Sequence, residues 1–450
     1  MRPRPEARPS CLGAGQLHTV DVRDEPAAGV WRSNPCGVLY ELAKRDPGQT
    51  AELLFGDDSI LVFQDARAAV HLLRTRPERY DKNLGAFDAF FGASRLTSDG
   101  KRWRALQKLS QPFISATDQA KLATVASHFF TAASQQMLSS RDARGESSVD
   151  DALSRAAASV ISQVALGLDI DEMSETCLDD FRDILRYASF VTWNLPGSFP
   201  VEDEQRRQAA FSARERLRTG LSGMIEKRLK LAPSSVDLLT TLALEKDGEV
   251  DALGEVCTLL FAGFDTTAAS LGWALFLLST MPDLQDGLRA EVLEACGERE
   301  LRLEDIESLS NLVSFQNEAL RIFPPIPILS RIANQDDLIN GIHVRRGQRV
   351  LLSIVGLHHD RRLFPEPARV VLTRFPGGKV APHHLGQFLP FGAGRRVCGG
   401  ARIANVEVTI ALATFLRTIR IGFVEAGPLL FDWQASMHRL GGHRFRIEAA

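Results

Sequence analysis

The sequence predicts a mainly α-helical protein with a small β region. Helical periodicity dominates residues 100–230, and residues 251–281 carry apolar side chains on every face, which is typical of a long helix through the centre of a molecule. Apolar and polar residues alternate over residues 331–355, which predicts short strands joined by turns. The chain has no internal repeat, low-complexity run or convincing linker. We therefore expect a loose N-terminal tail over residues 1–30 and one domain over residues 31–450.

The other elements follow in chain order. The stretch CGVLYELAKRDPG at residues 36–48 predicts a short helix, and TAELLFGDDSILVFQD at residues 50–65 predicts two strands around a Gly-Asp-Asp turn. A further helix is expected over residues 66–75. The Phe-rich segment of residues 80–98 has no clean period, so we expect an irregular loop that wraps a core or lines a pocket. A Pro/Gly break at residues 193–200 separates two helices.

Charge and cysteine usage exclude several classes of protein. The chain has 53 Lys and Arg against 56 Asp and Glu, with no long block of like charge, so no nucleic-acid partner is expected. Six dispersed cysteines without a CxxC pair indicate a reducing compartment. The longest uncharged stretch, residues 266–282, has 17 residues, fewer than the roughly 20 that a membrane span requires. The N-terminus lacks the apolar core of a secretory signal, so we expect a soluble, cytoplasmic protein.

One cysteine stands in a setting that suits chemistry. Cys398 lies in a Gly-rich turn, immediately before an apolar helix that we expect to begin near Ala401. Glycines allow a backbone to approach a flat ligand closely, and a helix N-terminus presents N–H groups to an anion. A thiolate fits this position physically. The alternative is a buried, inert cysteine, which is the commoner fate of a lone cysteine.

This turn resembles the signature of the cytochrome P-450 superfamily of haem-thiolate monooxygenases, and of its soluble bacterial members in particular. The pattern FxxGxRxCxG is matched by Phe391, Gly394, Arg396, Cys398 and Gly400. The resemblance implies the fold of that family, with haem b (iron protoporphyrin IX) between the central long helix and the helix after the cysteine loop. It implies that Cys398 ligates the iron, that Arg396 reaches a haem propionate and that Phe391 packs beside the sulfur.

The predicted central helix contains the sequence AGFDTT at residues 262–267. Polar Asp265 and Thr266 are costly to bury unless they are hydrogen-bonded, so by itself this stretch also fits a helix kink with a buried hydrogen bond. Small Ala262 and Gly263 leave room for a group against the helix, here the haem. The stretch is similar to the family's oxygen-activation sequence. By that resemblance Thr266 hydrogen-bonds dioxygen and Asp265 supplies protons from solvent.

A charged pair lies on the helix that ends at the prolines of RIFPP. Glu318 and Arg321 have i,i+3 spacing, which is usually a solvated pair of small energetic value. The pair matches the family's ExxR motif, which implies a buried ion network with a later arginine. Arg374 in VLTRF takes the place of that arginine, although Leu372 stands where proline is common.

Three further positions relate to the propionates by resemblance. Arg331 matches an arginine on the strand after the ExxR helix. Trp103 matches the tryptophan of a WxxxR pattern, but the position four residues on is Gln107, which supplies no charge. We assign the neighbouring Lys108, together with Arg102 and Arg395, to a basic face for an acidic electron donor.

The reaction implied by the resemblance is insertion of one oxygen atom from O2 into an apolar small molecule. The chain shows no flavin or ferredoxin domain, so electrons are expected from a separate ferredoxin or flavodoxin with its reductase. Candidate pocket residues, each of which also fits plain core, are Phe87, Phe90, Phe91, Phe190, Trp193, Phe264, Ile328 and Leu329.

Two other functions fit the sequence less well. A peroxide-driven or O2-independent haem-thiolate enzyme has no need of the Asp265–Thr266 pair. A non-catalytic haem-binding sensor needs no oxygen-activating groups, and turnover with reduced cofactor separates it from an enzyme.

Overall fold

A computed structural model describes the following parts of the chain: residues 17–21, 35–55, 58–170, 177–193, 204–231, 237–245, 250–381, 386–424, 427–433 and 435–450. The α-helices within them are α1 (Pro35–Arg45), α2 (Ala66–Val70), α3 (Gly85–Phe91), α4 (Gly100–Ser115), α5 (Gln119–Ser139), α6 (Asp150–Ile161), α7 (Cys177–Trp193), α8 (Glu204–Leu231), α9 (Leu238–Leu244), α10 (Ala252–Ser279), α11 (Pro282–Cys296), α12 (Ser310–Ile322), α13 (Ile354–His358) and α14 (Ala401–Thr418).

The strands are short and form small sheets. They are β1 (Leu17–Asp21), β2 (Thr50–Phe55), β3 (Asp58–Phe63), β4 (Tyr80–Lys82), β5 (Glu146–Ser148), β6 (Ile328–Ala333), β7 (Asp337–Ile339), β8 (Ile342–Val344), β9 (Arg349–Ser353), β10 (Ile419–Gly422), β11 (Phe431–Trp433), β12 (Met437–Arg439) and β13 (Arg444–Ala449). The largest sheet has the order β1-β2-β3-β9-β6-β4, and β10-β13-β5 form a second one. The hairpins β11-β12 and β7-β8 complete the β structure.

Most of the predicted elements are confirmed. The helix at residues 36–48 is α1, the two strands at residues 50–65 are β2 and β3, and the alternating segment forms β6 to β9. The predicted turns contain Asn340 and Gly341, both with positive φ, and Gly347, whose φ is 83°. The predicted helix at residues 66–75 begins as α2 and continues as a π-helical turn over His71–Thr75. The Pro/Gly break falls largely outside the described residues, between the end of α7 and the start of α8.

Two expectations differ from the structure. Part of the expected loose tail is ordered, because β1 pairs in parallel with β2. The Phe-rich segment is not wholly irregular, since it contains α3. Phe87, Phe90 and Phe91 have i, i+3, i+4 spacing and are all buried, while Asp88 and Ala89 between them are exposed. The helical face was present in the sequence, but its short length obscured the period.

Helix α10 forms the centre of the molecule. It packs against α6 and α14, and the Asp251 side chain caps its first turn by accepting the Gly254 N–H at 2.9 Å. Trp273 is fully buried, and its Nε1 donates to the Met437 carbonyl at 2.7 Å. Among the described helices, α10 alone is long and apolar enough to cross a membrane by length and composition, but 67% of its most apolar window is buried inside the protein. Its apolar character therefore belongs to the core.

A buried ion pair fixes the segment that leads to the cysteine loop. Arg321 and Glu318 form two hydrogen bonds, of 2.7 and 2.9 Å, and neither side chain is exposed. The other donors of Arg321 bind the carbonyls of His358, Pro367 and Arg369, so all five N–H groups of the guanidinium are used. His358 in turn accepts the Leu389 N–H at 2.9 Å, nine residues before Cys398.

The expected third member of this network makes different bonds. Arg374 donates to the carbonyls of Pro365 and Glu366, and no hydrogen bond or ion pair joins it to Glu318 in the described part of the chain. Glu318 instead accepts the Val371 N–H at 2.8 Å. The network is thus closed by backbone groups of residues 358–371 around one ion pair, and Arg374 braces the same segment from outside.

We expect Glu318→Ala to destabilise the protein by about 3 to 5 kcal/mol, because it leaves the Arg321 charge buried without its partner. The measurement is thermal unfolding together with the haem content of the purified protein. Glu41→Ala is the matched control, since Glu41 and Lys44 form an i,i+3 pair at 2.8 Å on the surface; it is expected to change stability by about 0.5 kcal/mol or less. Equal melting temperatures for the two variants would contradict the role of the buried network.

Candidate functional site

The cysteine loop is closed by its own backbone. The Cys398 N–H donates to the Phe391 carbonyl at 3.0 Å, and the Gly392 N–H donates to the Leu389 carbonyl at 3.0 Å. Gly394 has a φ of 70°, and a Cβ there would lie 1.9 Å from the Leu73 carbonyl oxygen. A side chain cannot fit at this position, so the glycine lets the loop pack directly on the chain after α2.

Cys398 is the only exposed cysteine among the described residues, and it lies three residues before the start of α14. The pKa of Cys398 lies above its ordinary value because desolvation by the surrounding chain outweighs the N–H groups of Gly400 and Ala401 and the charge of Arg95, all of which favour the thiolate. The helix start therefore offers the sulfur the hydrogen-bond donors that a thiolate ligand needs.

One face of α10 is less buried than the others. Leu259, Ala262, Gly263, Thr266 and Ser270 are half-buried on a helix whose other central residues are nearly all buried. Their spacing of three and four places them on a single face. This face carries small and apolar side chains and two hydroxyls, those of Thr266 and Ser270, which suits contact with a flat ring.

The two small residues of this face differ in use. A Cβ at Gly263 would lie 2.6 Å from Cγ1 of Ile161, so Gly263 permits close packing between α10 and α6. Gly263 thus has a helix-packing role in addition to its place with Ala262 on the half-buried face.

Cationic side chains gather at one cavity. Lys82 of β4 pairs in register with Arg331 of β6, and both line this cavity with Arg396 and Asp99. Arg396 forms an ion pair with Asp99, and its guanidinium lies 3.9 Å from the centre of the Trp103 ring. Burial lowers the pKa of Lys82 well below its ordinary value, and the charges of Arg396 and Arg331 lower it further. Three cations with one carboxylate make an electrostatic site for additional anionic groups.

These features fit the haem that the sequence resemblance implies. The Cys398 thiol supplies a soft ligand for iron, the half-buried face of α10 is suited to a porphyrin ring, and the excess of Lys82, Arg331 and Arg396 over Asp99 is suited to two propionates. Arg331 is the best placed of the cations, since its one hydrogen bond in the described structure is to the neighbouring Ser330 carbonyl.

The WxxxR departure has a structural counterpart. Trp103 is buried beneath Arg396, as expected for two residues assigned to the same propionate region. Gln107 is half-buried, and its side chain makes no hydrogen bond in the described structure. The contact to the cysteine loop comes one turn later, where the Gln111 amide donates to the Gly399 carbonyl at 3.3 Å and accepts from Arg95 at 2.8 Å.

Asp265 and Thr266 have different surroundings although they are adjacent. The Thr266 hydroxyl donates to the Ala262 carbonyl at 2.7 Å, which is the backbone competition expected from the sequence. The buried Asp265 carboxylate forms hydrogen bonds with Ser436, just before β12, and with His438, on β12. Burial raises the pKa of Asp265, but His438 and the Ser436 donors outweigh this and hold it below its ordinary value.

The expected pocket residues lie mostly in core packing. Phe87 and Phe91 stack on each other and on Phe261, and Phe91 also stacks on Phe181. Phe90 meets Tyr187 edge-on. Phe264 meets Phe181 edge-on at 5.4 Å and is 2% exposed, so it belongs to this aromatic cluster.

The strand residues separate in the same way. Ile328 is buried in the sheet core with Leu39 and Leu351, whereas Leu329 is half-buried beside Gly392 of the cysteine loop, as the alternation of a strand requires. Phe190 is half-buried near Tyr187, and the side chain of Trp193 lies outside what the structure describes.

Sequence reasoning missed several residues of the site. Lys82, Arg95, Ser436 and His438 reach it from distant parts of the chain, and none stands in a motif. The only signal was indirect, since a neutral Gln107 leaves a charge to be supplied from elsewhere.

Known proteins resemble this chain over most of its length. The Cytochrome P450 family model matches residues 30–432. The chain is 26% identical over 443 residues to Protein LUTEIN DEFICIENT 5, chloroplastic, of Arabidopsis thaliana, which covers 91% of this chain and 73% of that protein. It is 28% identical over 365 residues to cyclooctat-9-en-7-ol 5-monooxygenase of Streptomyces melanosporofaciens, covering 77% and 76%.

A solved structure confirms the fold class. The heme domain of a cytochrome P450DA mutant superposes with a TM-score of 0.81 over 97% of this chain and 98% of that chain, at 20% sequence identity. The mainly helical architecture with small sheets is thus the fold expected from the sequence.

We expect Arg331→Gln to release haem about ten to a hundred times faster, because a charge-assisted bond to a propionate contributes roughly 1.5 to 3 kcal/mol. The measurement is haem transfer to excess apomyoglobin. Arg395→Gln is the control, since Arg395 is exposed in the same loop. If both variants keep haem as long as the wild type, Arg331 does not hold a propionate.

Proposed function

The chain belongs to the cytochrome P450 family, and on this premise we propose that it inserts one oxygen atom from O2 into an apolar organic substrate with electrons from a separate redox protein. Membership makes it an oxidoreductase that uses haem b with a thiolate iron ligand. The observation that carries the proposal is the Asp265–Thr266 pair, in which a paired, buried carboxylate adjoins a hydroxyl on the half-buried face of α10. A peroxide-driven enzyme or a haem-binding sensor would not need this pair.

Cys398 is the proposed iron ligand. Its support is an exposed thiol in a loop closed by the Phe391 carbonyl, together with the N–H groups of Gly400 and Ala401 that favour the thiolate. Phe391 is half-buried in the same loop and is proposed to pack beside the sulfur. When bound, haem supplies the iron centre at which dioxygen is reduced and the substrate oxidised.

The residues of α10 are proposed to manage protons. The overall reaction converts RH, O2, two electrons and two protons into ROH and water, so both protons have to reach a water-poor face of the helix. Thr266 presents a hydroxyl there that would donate to dioxygen in place of the Ala262 carbonyl. Asp265 supplies the proton from the other side of the helix.

The substrate class is proposed to be apolar. The half-buried side chains Leu259, Ala262 and Leu329 present hydrocarbon to the site. The Streptomyces relative is named for oxidation of cyclooctat-9-en-7-ol, a molecule of that class. A panel of terpenes, steroids and fatty acids, read by the shift in haem absorption on binding, would identify a ligand.

The electron donor is proposed to be an acidic ferredoxin or flavodoxin. Arg102, Lys108 and Arg395 are all exposed, on α4 and in the cysteine loop, and Val397 adds an exposed apolar side chain beside them. Such a face favours a negatively charged partner close to the sulfur. We propose a cytoplasmic location, because the dispersed free cysteines are suited to a reducing compartment.

We expect Cys398→Ser to lose the thiolate-type band of the ferrous carbon monoxide complex, because serine does not supply a sulfur ligand. Cys296→Ser is the control; its sulfur bonds the Val292 carbonyl at the end of α11, a bond that a hydroxyl can replace. An imidazole-like band in the wild type, or a thiolate-type band in Cys398→Ser, would defeat the assignment.

We expect Thr266→Ala to keep haem, substrate binding and the carbon monoxide spectrum while diverting electrons from product to hydrogen peroxide. Loss of the hydroxyl removes the proposed bond to oxygen, so peroxide escapes before the O–O bond breaks. Product and peroxide are measured per reduced cofactor consumed, with a ligand from the panel as substrate. Thr266→Ser should restore the wild-type ratio, and Ser270→Ala, one turn away on the same face, should keep it. An unchanged ratio in Thr266→Ala would remove the oxygen-activation role.

A further inference from the structure

Both carboxylate oxygens of Asp265 are occupied by the chain around one hairpin. Oδ1 lies 2.9 Å from Nε2 of His438, which is on β12. Oδ2 accepts the Ser436 N–H at 3.2 Å and also the Ser436 hydroxyl. The Asp265 side chain is 8% exposed, so these groups from residues 436–438 are its hydrogen-bond partners in the described structure.

The geometry separates the two sides of α10. Asp265 and Thr266 are consecutive, so their side chains diverge by about 100° around the helix. Asp265 faces the β11-β12 hairpin, while Thr266 lies on the half-buried face assigned to the haem. A proton that reaches the Thr266 side through Asp265 therefore comes from Ser436 or His438.

Of these two, only His438 can carry a positive charge near neutral pH. A serine hydroxyl passes a proton on only when it receives another at the same time, whereas imidazole titrates in this range. Three carboxylates face His438: Asp265 of α10, Asp150 at the start of α6 and Asp432 of β11, which pairs with it in register. One other imidazole is nearby, His443, which bonds Asp150 at 2.8 Å.

The electrostatic balance favours the imidazolium. Burial lowers the pKa of His438, but the charges of Asp265, Asp150 and Asp432 outweigh burial and raise it above its ordinary value. His438 therefore keeps its proton to a higher pH than an ordinary imidazole and loses it as the pH rises through this raised pKa.

We propose that His438 is the positioning residue that orients Asp265 and hands it the protons consumed in the reaction. The proposal rests on the proposed monooxygenase function and adds the route by which protons enter. It assigns to the hairpin a role that the P-450 sequence motifs do not contain.

The transfer balances as a proton movement without electrons. The Nε2–H bond of the His438 imidazolium breaks as an O–H bond forms at Oδ1 of Asp265, which leaves a neutral imidazole and a neutral carboxylic acid. The Asp265 side chain would then turn from the hairpin, release this proton on the Thr266 side of α10 and return to the hairpin as the carboxylate. His438, whose side chain is 16% exposed, regains a proton from water. Two such cycles supply the two protons of one turnover.

The test compares His438→Gln with the wild type, since a glutamine amide can still donate to Asp265 but cannot deliver a proton. We expect kcat at pH 6.5 to fall about ten- to hundred-fold with KM unchanged, and peroxide per reduced cofactor to rise. In the wild type, kcat should decrease as the pH rises through the raised His438 pKa. In His438→Gln this limb should be absent.

The matched control is His71→Gln. His71 forms a similar partly buried pair with Asp337, at 2.8 Å, and has no contact with Asp265. It should keep the wild-type pH profile and product ratio. A profile and ratio in His438→Gln equal to those of the wild type would overturn the proposal and leave the pair a structural contact.

A second readout does not depend on activity. Histidine titration by NMR in the diamagnetic carbon monoxide complex should show one imidazole with a raised pKa, absent in His438→Gln. In Asp265→Asn this pKa should move toward the ordinary value of about 6.5. A His438 pKa that Asp265→Asn does not change would contradict the pairing on which the route depends.

Failure of the route and failure of the proposed function are distinguishable. If the wild type forms no oxygenated product, the function is wrong and the relay with it. If it forms product while His438→Gln matches it in pH profile, only the relay is wrong.

Discussion

The site depends first on the Arg321 guanidinium. Its five donors join Glu318 on α12 to the carbonyls of residues 358–369, and His358 at the start of this segment accepts the Leu389 N–H that opens the cysteine loop. Because the bonds of the ion pair and both bonds at His358 are buried, water does not reach them as a substitute partner. The ion pair thus acts indirectly. Through His358 it fixes the position of Leu389, where the loop that carries Cys398 begins.

Helix α10 is both the apolar central helix of the core and a helix that carries a buried carboxylate. As the central helix it has to be apolar, and the structure buries nearly all of its faces. As the helix of the site it carries a carboxylate, which is tolerated because Ser436 and His438 satisfy both of its oxygens. The hairpin β11-β12 is therefore a condition for placing Asp265 in the core, and its chemistry is inseparable from its packing.

What the sequence could reveal depended on how local the signal was. Cys398, Glu318, Arg321 and Thr266 stand in short motifs, and the long apolar run of α10 was legible from composition alone. By contrast, the His438–Asp265 contact spans 173 residues, and Lys82 meets Arg331 only through the register of β4 and β6. Strand pairing between distant segments leaves no local pattern.

Short α3 was missed for another reason, since its seven residues are too few to establish a period although its three phenylalanines share a face. Ile328 and Phe264 were assigned to a pocket by their position near motifs, but strand alternation and the aromatic cluster direct them into the core.

The cations of the site indicate that folding and cofactor binding are coupled. Burial lowers the pKa values of Lys82, Arg331 and Arg396, and mutual repulsion adds to this for Lys82 and Arg396. Asp99 alone compensates them among the cavity-lining residues. Two propionates would bring the local charge near balance and raise the pKa values of all three cations, so their binding would relieve repulsion as well as form new hydrogen bonds. A ligand that binds only the folded state stabilises it in proportion to its affinity. The same three side chains that would select haem therefore also make the β4-β6 edge of the sheet depend on it.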